Sequence, residues 1–220
     1  MLLAIDTATR YAGLALHDGD RVVVEMVWQA GYHHSRQVPP VIEEALRCTG
    51  TAPADLVAVG VALGPGSFTG LRIGLSLGKG LAWALNIPIL GVPTLDITAA
   101  PHAGQESVCA IIQAGRGRFA FALYAPADQE TWKRLGEYQL GTLDDVMASV
   151  HVPTRFVGEL SAQERARLRE HLGELARFAS SAQNVRRPAV LAELAWQRWH
   201  SGDVDDPATL SPIYLHVPGA

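Results

Sequence analysis

Asp6-Thr7-Ala8-Thr9 closes a short apolar run that begins at Leu2. An acid at a strand end, followed by small hydroxyl residues in a tight turn, can hold a phosphate or a metal–phosphate. Backbone N–H groups and hydroxyls would face the anion. The same residues also make an ordinary hairpin turn rich in Asp and Thr. A longer segment, Gly64-Pro-Gly-Ser-Phe-Thr-Gly70, runs into Leu71-Arg-Ile-Gly74. There a continuous apolar run, Leu56–Leu63, feeds a glycine-rich loop and then a helix N-terminus, a geometry that favours anions. No Gly-Lys-Ser/Thr closes the loop, so it is not a Walker A loop. Ser67 or Thr69 could equally cap the helix. The candidate phosphate-holding residues are therefore Asp6, Thr7, Thr9, Ser67 and Thr69.

The helix after the loop carries Gly66, Gly70, Gly74 and Gly78 at intervals of four, with Ala82 continuing the row. Residues at i and i+4 share a helical face. Three interior glycines cost about 2–3 kcal/mol relative to alanine, so close backbone approach by another element must offset them. That element is either this chain's own sheet or helix, or a partner's helix.

Other chemistry lacks its parts. The eight histidines are His17, His33, His34, His102, His151, His171, His200 and His216, and no two stand at i, i+4 as a helical metal pair requires. His33 and His34 are adjacent and read as solvated or capping. No Gly-x-Ser-x-Gly elbow occurs, and no acid stands near a nucleophile in a triad spacing. Cys48 and Cys109 form no CxxC pair and read as two buried thiols in a reducing cytosol. Residues 155–187 hold seven arginines against four acids, which reads as a solvated helix face, or as a modest patch for RNA or a partner.

The elements that position these residues follow from periodicity. Leu2–Asp6, Tyr11–His17 and Arg21–Trp28 read as an antiparallel strand series. Tyr32–Arg36 is polar. Val38, Val41, Ile42, Ala45 and Leu46 then fall on one helical face, with Pro39 and Pro40 tolerable in its first turn. After the glycine loop the helix should reach about Asn86. Ile89–Val92 reads as a strand, and Thr94 as the cap of a short helix. The second half opens with Val108–Ile112, a loop at Gln113–Gly117, and Arg118–Tyr124, which echoes the first hairpin. Thr142 with Asp145, and Ser161 with Glu164, have capping-box spacing. Pro188–His200 is a helix that Gly202 stops. Two related lobes, 1–102 and 103–220, are expected.

With 48% apolar and 18% charged residues the chain should fold unaided. Neither half is basic: residues 1–100 carry six Lys/Arg against eight Asp/Glu, and the remainder twelve against fourteen. Neither half could hold nucleic acid by charge alone. Residues 1–5 are too short for a signal-peptide core. The charge-free runs Leu56–Leu71 and Gly80–Leu95 are broken by Pro and Gly, so no membrane span is expected.

Leu3-Ala-Ile-Asp-Thr-Ala-Thr9, His34-Ser35, Gly64 to Gly74, Lys79-Gly-Leu-Ala82, Pro88-Ile-Leu-Gly-Val92 and Pro212-Ile-Tyr-Leu215 together resemble the TsaB family, also called YeaZ, of the bacterial tRNA threonylcarbamoyladenosine pathway. The resemblance is dense over residues 2–98 and thin over most of the second half. It implies an α/β fold of the actin-like ATPase (RNase H-like) type, with two related lobes, each a mixed sheet with flanking helices. It also implies a cytoplasmic, non-catalytic subunit that binds and activates a catalytic paralogue, TsaD, with the ATPase TsaE. That assembly would place threonylcarbamoyl on the adenosine next to the anticodon of ANN-decoding tRNAs. The subunit would self-pair when its partner is missing and would meet tRNA only through the complex. No tightly bound cofactor is implied, with ATP or ADP entering within the complex. The family's dimer helices, carried over, place an interface at Val38, Val41, Ile42, Leu46, Gly70, Gly74 and Gly78.

The chain departs from the family where Asp-Ala-Arg and a following acid are usual. Here the loop reads Gln113-Ala-Gly-Arg-Gly-Arg118, with Gln113, Gly115 and Arg118 in those places. That weakens phosphotransfer by this chain, since an acid for Mg²⁺ or for a base is lost. The competing readings are an independent ATPase or small-molecule kinase of the same fold, supported by Asp6 and the glycine loop, and a peptidase.

Overall fold

Strand β1 (Leu2–Asp6) is apolar at every position before its terminal acid, because both faces of the sheet it centres are covered. The computed structural model describes residues 1–31, 33–102, 104, 106–127 and 132–215; Tyr32 and His216 lie outside them. β1 pairs antiparallel with β2 (Tyr11–His17), which pairs antiparallel with β3 (Val22–Gln29). Helix α1 (His34–Thr49) leads to β4 (Ala58–Gly64), parallel to β1 on its other side. Helix α2 (Phe68–Leu85) leads to β5 (Ile89–Pro93), parallel to β4, and α3 (Thr94–Ala99) follows. The sheet order is β3-β2-β1-β4-β5.

The second sheet repeats the plan. β6 (Ser107–Gly115), β7 (Arg118–Pro126) and β8 (Trp132–Gly141) form an antiparallel series. Helix α4 (Leu143–Ala148) then gives β9 (Thr154–Gly158), parallel to β6, and α5 (Ala162–Leu172) gives β10 (Ala176–Phe178), parallel to β9. Its order, β8-β7-β6-β9-β10, is the first sheet's order strand for strand. The faint echo between the two hairpins is thus a true repeat of the actin-like design. Both capping boxes form as their spacing predicts.

The boundary differs from the expected 102/103 division. One unit holds Met1–Ile97 with Arg187–Ile213; the other holds Thr98–Arg186 with Tyr214 and Leu215. The chain returns because the first sheet is lined differently on its two sides. Leu3, Ile5, Val59 and Val61 face Val38, Ile42 and Ala45 of α1 and Leu75 of α2. On the opposite side Leu2, Ala4, Ala58 and Ala62 pack against Leu191, Ala192 and Ala195 of α6 (Pro188–His200). Small residues bring that helix close: a Cβ on Gly60 would stand 2.8 Å from the Ala195 Cβ.

Glu25 of β3 secures the start of α6. Its Oε1 accepts the Ala189 N–H at 3.0 Å, and its Oε2 accepts the Arg187 guanidinium. A carboxylate supplied across 164 residues does the work that Arg187, the N-cap, cannot. Glu25→Ala should cost about 2 kcal/mol, read as a lower urea midpoint at unchanged slope. An unchanged midpoint would show the clamp to be idle.

Three local expectations are corrected. Helix α1 starts at His34, so Pro39 and Pro40 sit beyond its first turn. The carbonyls that lose their donors, on Ser35 and Arg36, belong to exposed residues that water can reach. Cys109 is buried, but Cys48 is exposed on the outer side of α1. The Gln113–Gly117 loop is tighter than expected: the ladder runs to the Gly115–Arg118 pair, and only Arg116 (φ 54°) and Gly117 (φ 71°) turn the chain. Positive φ at both positions is the mark of a type I′ hairpin turn.

Candidate functional site

The β1–β2 turn and the glycine loop interlock within the first unit. Asp6 Oδ1 accepts the Ala8 N–H at 2.9 Å, and the Thr7 hydroxyl donates to the Gly70 carbonyl at 2.8 Å. The Ser67 N–H donates to the Ala8 carbonyl at 2.6 Å, and the Gly64 N–H to Thr94 Oγ1 at 2.9 Å. Ser67 Oγ accepts the Gly70 N–H at 3.3 Å, as a helix N-cap does. His34 is buried, and its Nε2 donates to the Thr9 carbonyl at 2.9 Å. His34 is therefore a tether between α1 and the turn, while His33 stays exposed.

Of the phosphate-holding candidates, the structure gathers Asp6, Thr7, Thr9 and Ser67 into one cluster. Asp6, Thr7 and Thr9 are buried, and the cluster's hydrogen bonds run within the chain. Thr69 stands apart on the exposed side of α2. The result is a clasp between two loops.

The glycine row is the inner half of that clasp. A Cβ on Gly70 would lie 2.2 Å from the Thr7 carbonyl oxygen, and one on Gly74 2.2 Å from Thr7 Oγ1. On Gly78 it would meet Val61 Cγ1 at 2.5 Å. The element that approaches α2 is the chain's own sheet and turn. The residues expected at an interface also serve this internal contact. Gly70, Gly74, Gly78, Val38 and Ile42 are all buried, and Val41 and Leu46 lean on the same core. The apolar face of the first sheet needs a cover, and these residues supply it.

What the sequence reading missed is the outer face of α2. Trp83 is 89% exposed and Phe68 55%, with Ile73 and Leu77 half-buried between them. The Arg72 guanidinium lies over the Phe68 ring at 3.7 Å. Ser35 of α1 and Phe68, Ile73, Ser76 and Leu77 of α2 line a hollow of about 500 Å³. A second, of about 740 Å³, follows along the helix beside Lys79, Trp83 and Asn86. The available signal was phase: once the glycine row faces the sheet, Phe68, Ile73, Leu77 and Trp83 fall toward the other side of the helix, while Leu71 and Leu75 stay with the row.

In the second unit the arginines of the 155–187 stretch are largely engaged. Arg155 and Arg177 both bind Glu106, Arg167 binds Asp144, and Arg169 lies over Phe178 at 4.7 Å. Desolvation pushes the Glu106 carboxyl up, but hydrogen bonds from Arg177 and Arg155 outweigh it and hold the group below its ordinary value. Burial pushes the Cys109 thiol up to about 12, so it offers no thiolate nucleophile. Gln113 is exposed, and its N–H donates to Glu159 Oε2 at 3.2 Å. Among the described residues no three His, Cys, Asp or Glu converge as metal ligands, and no helix is long and apolar enough to cross a membrane.

Comparison with known proteins agrees with this architecture. The family model described as "TsaD: tRNA N6-adenosine threonylcarbamoyltransferase" matches residues 28–202. The tRNA threonylcarbamoyladenosine biosynthesis protein TsaB of Bacillus subtilis is 31% identical, over 98% of this chain and 94% of its own length. Among solved structures, YeaZ from Pseudomonas aeruginosa superposes with a TM-score of 0.79 at 26% identity, covering 97% of this chain and 99% of that one. The ethanolamine utilization protein EutJ from Carboxydothermus hydrogenoformans is 12% identical, with a TM-score of 0.52 over 86% and 88% of the two chains. That last likeness shows the fold alone.

Proposed function

The chain belongs to the TsaB (YeaZ) family, and from that membership we propose that it is the non-catalytic partner subunit of the machinery that makes threonylcarbamoyladenosine in tRNA. Its work is to bind the catalytic paralogue TsaD and, with TsaE, bias it toward the arrangement that transfers threonylcarbamoyl to the adenosine beside the anticodon of ANN-decoding tRNAs. Such activation requires tighter binding to TsaD's active arrangement than to its inactive one.

The observation that carries this reading is the outer strip of α2. Phe68 and Trp83 stay exposed after α1, α2 and α6 have covered both faces of the first sheet. An apolar strip left outside a completed core is a surface for another polypeptide. The same strip would serve self-pairing when TsaD is absent. An independent ATPase has less support, because the Thr7 hydroxyl is bound to the Gly70 carbonyl across the two loops, Asp6 Oδ1 accepts the Ala8 N–H of its own turn and Ser67 caps α2.

TsaD, TsaE, threonylcarbamoyl adenylate and an unmodified tRNA, with and without the chain, test the reading. Modified nucleoside should form at least about tenfold faster with the chain, the effect of a bias of ~1.4 kcal/mol. Equal rates without it would refute the proposal, and ATP turnover by the isolated chain would favour the ATPase.

A further inference from the structure

The hairpin between β6 and β7 ends in Gly115-Arg116-Gly117-Arg118, and the clasp, the helical strip and the core make no use of it. Residues 113–117 are exposed and Arg118 is half-buried. Arg116 takes φ 54°, in a turn position that Asn, Asp or Gly fills more easily. Neither the Arg116 nor the Arg118 guanidinium makes an ion pair or hydrogen bond with a described residue. Elsewhere in the second unit Glu106 takes Arg155 and Arg177, Asp144 takes Arg167, and Arg134 and Arg169 lie over aromatic rings. Glu159 accepts the Gln113 N–H at the base of the hairpin.

A disfavoured backbone conformation kept for a side chain without an internal partner points to an external one. Two guanidiniums on one exposed tip, separated by a glycine, suit phosphate oxygens, which they engage in a forked, bidentate manner. We propose that the Arg116–Arg118 hairpin tip is an anchor for the phosphodiester backbone of RNA, which positions the tRNA without reading its sequence. This goes beyond contact of tRNA with the complex alone, and it rests on the tRNA-modifying role proposed above.

The test uses the full chain with TsaD, an unmodified tRNA transcript, and the double variant Arg116→Asn with Arg118→Gln. Asparagine suits the left-handed turn, so the variant should fold at least as well as the parent. Its tRNA affinity near 0.1 M salt should fall about five- to twentyfold. The slope of log affinity against log salt should become shallower by about 1 to 2, as expected for two lost phosphate contacts. KM for tRNA should rise while kcat holds. Unchanged affinity and slope would overturn the proposal, as would a wild-type assembly that binds no tRNA. Weaker assembly with TsaD at unchanged tRNA affinity would instead identify an acidic protein surface as the arginines' partner and also overturn it. Failure of the functional reading would look different: modification would proceed without the chain, whatever its hairpin carries.

Discussion

Gly70→Leu should remove a large part of the chain's stability and sharply lower its urea midpoint, and Gly74→Leu should be nearly as damaging. At Gly70 the new Cβ would stand 2.2 Å from the Thr7 carbonyl oxygen, a backbone atom fixed by β1. At Gly74 it would stand 2.2 Å from the Thr7 hydroxyl oxygen, which is buried and donates to the Gly70 carbonyl. Relieving either overlap means parting α2 from the β1–β2 turn. That breaks the Thr7–Gly70 and Ser67–Ala8 hydrogen bonds together. Ordinary overpacking costs about 1–3 kcal/mol. Adding lost buried hydrogen bonds brings the expected total above about 4 kcal/mol, against a whole stability of about 5–15 kcal/mol.

Gly80 provides the internal control. It lies on the same helix with nothing within 4 Å of its Cβ position, so Gly80→Ala should stabilise by about 0.5–1 kcal/mol. Urea unfolding followed by circular dichroism reads all three variants. A wild-type midpoint for Gly70→Leu or Gly74→Leu would mean that the glycine row does not form the inner half of the clasp.

The same glycine row shows where sequence reasoning stops. Its period of four was plain, and so was the need for a close neighbour to offset its cost. The identity of that neighbour was not, because Thr7 lies in a turn 63 residues before Gly70 and the row carries no mark of which surface will meet it. Val38 and Ile42 pack on the chain's own sheet, which their spacing alone could not show, because an apolar helical face looks alike whether its own sheet or a partner covers it. Local rules did well where the physics was local. The Thr142–Asp145 and Ser161–Glu164 boxes and the stop at Asn86 rest on atoms a few residues apart. Helix α6 was visible as a helix, but its return to the first unit depends on alanines of β1, β2 and β4 that leave room for it. The Glu25 clamp joins groups 164 residues apart, and no local pattern announces it.

Leu77→Arg should abolish pairing with TsaD at a cost to folding of about 1 kcal/mol, because Leu77 also packs against the core of the first sheet. Leu77 sits half-buried beside Ile73 in the hollow between the exposed Phe68 and Ser35. An arginine there can turn its charge to water in the free chain. In a complex it would put an unpaired charge at the centre of a desolvated contact. Trp83→Ala tests the strip by loss instead of by clash. An indole 89% exposed in the free chain contributes little to folding, whereas an aromatic anchor at an interface is worth about 2–4 kcal/mol. Calorimetric titration with TsaD should therefore show a Kd weakened about 30- to 1000-fold for Trp83→Ala and no measurable binding for Leu77→Arg. Trp83→Ala should keep the wild-type urea midpoint, and Leu77→Arg should lower it only modestly. Wild-type affinity in both would remove the α2 strip from the interface. A matching loss of stability would mean that the strip is part of the core, and another surface would have to be sought for the partner.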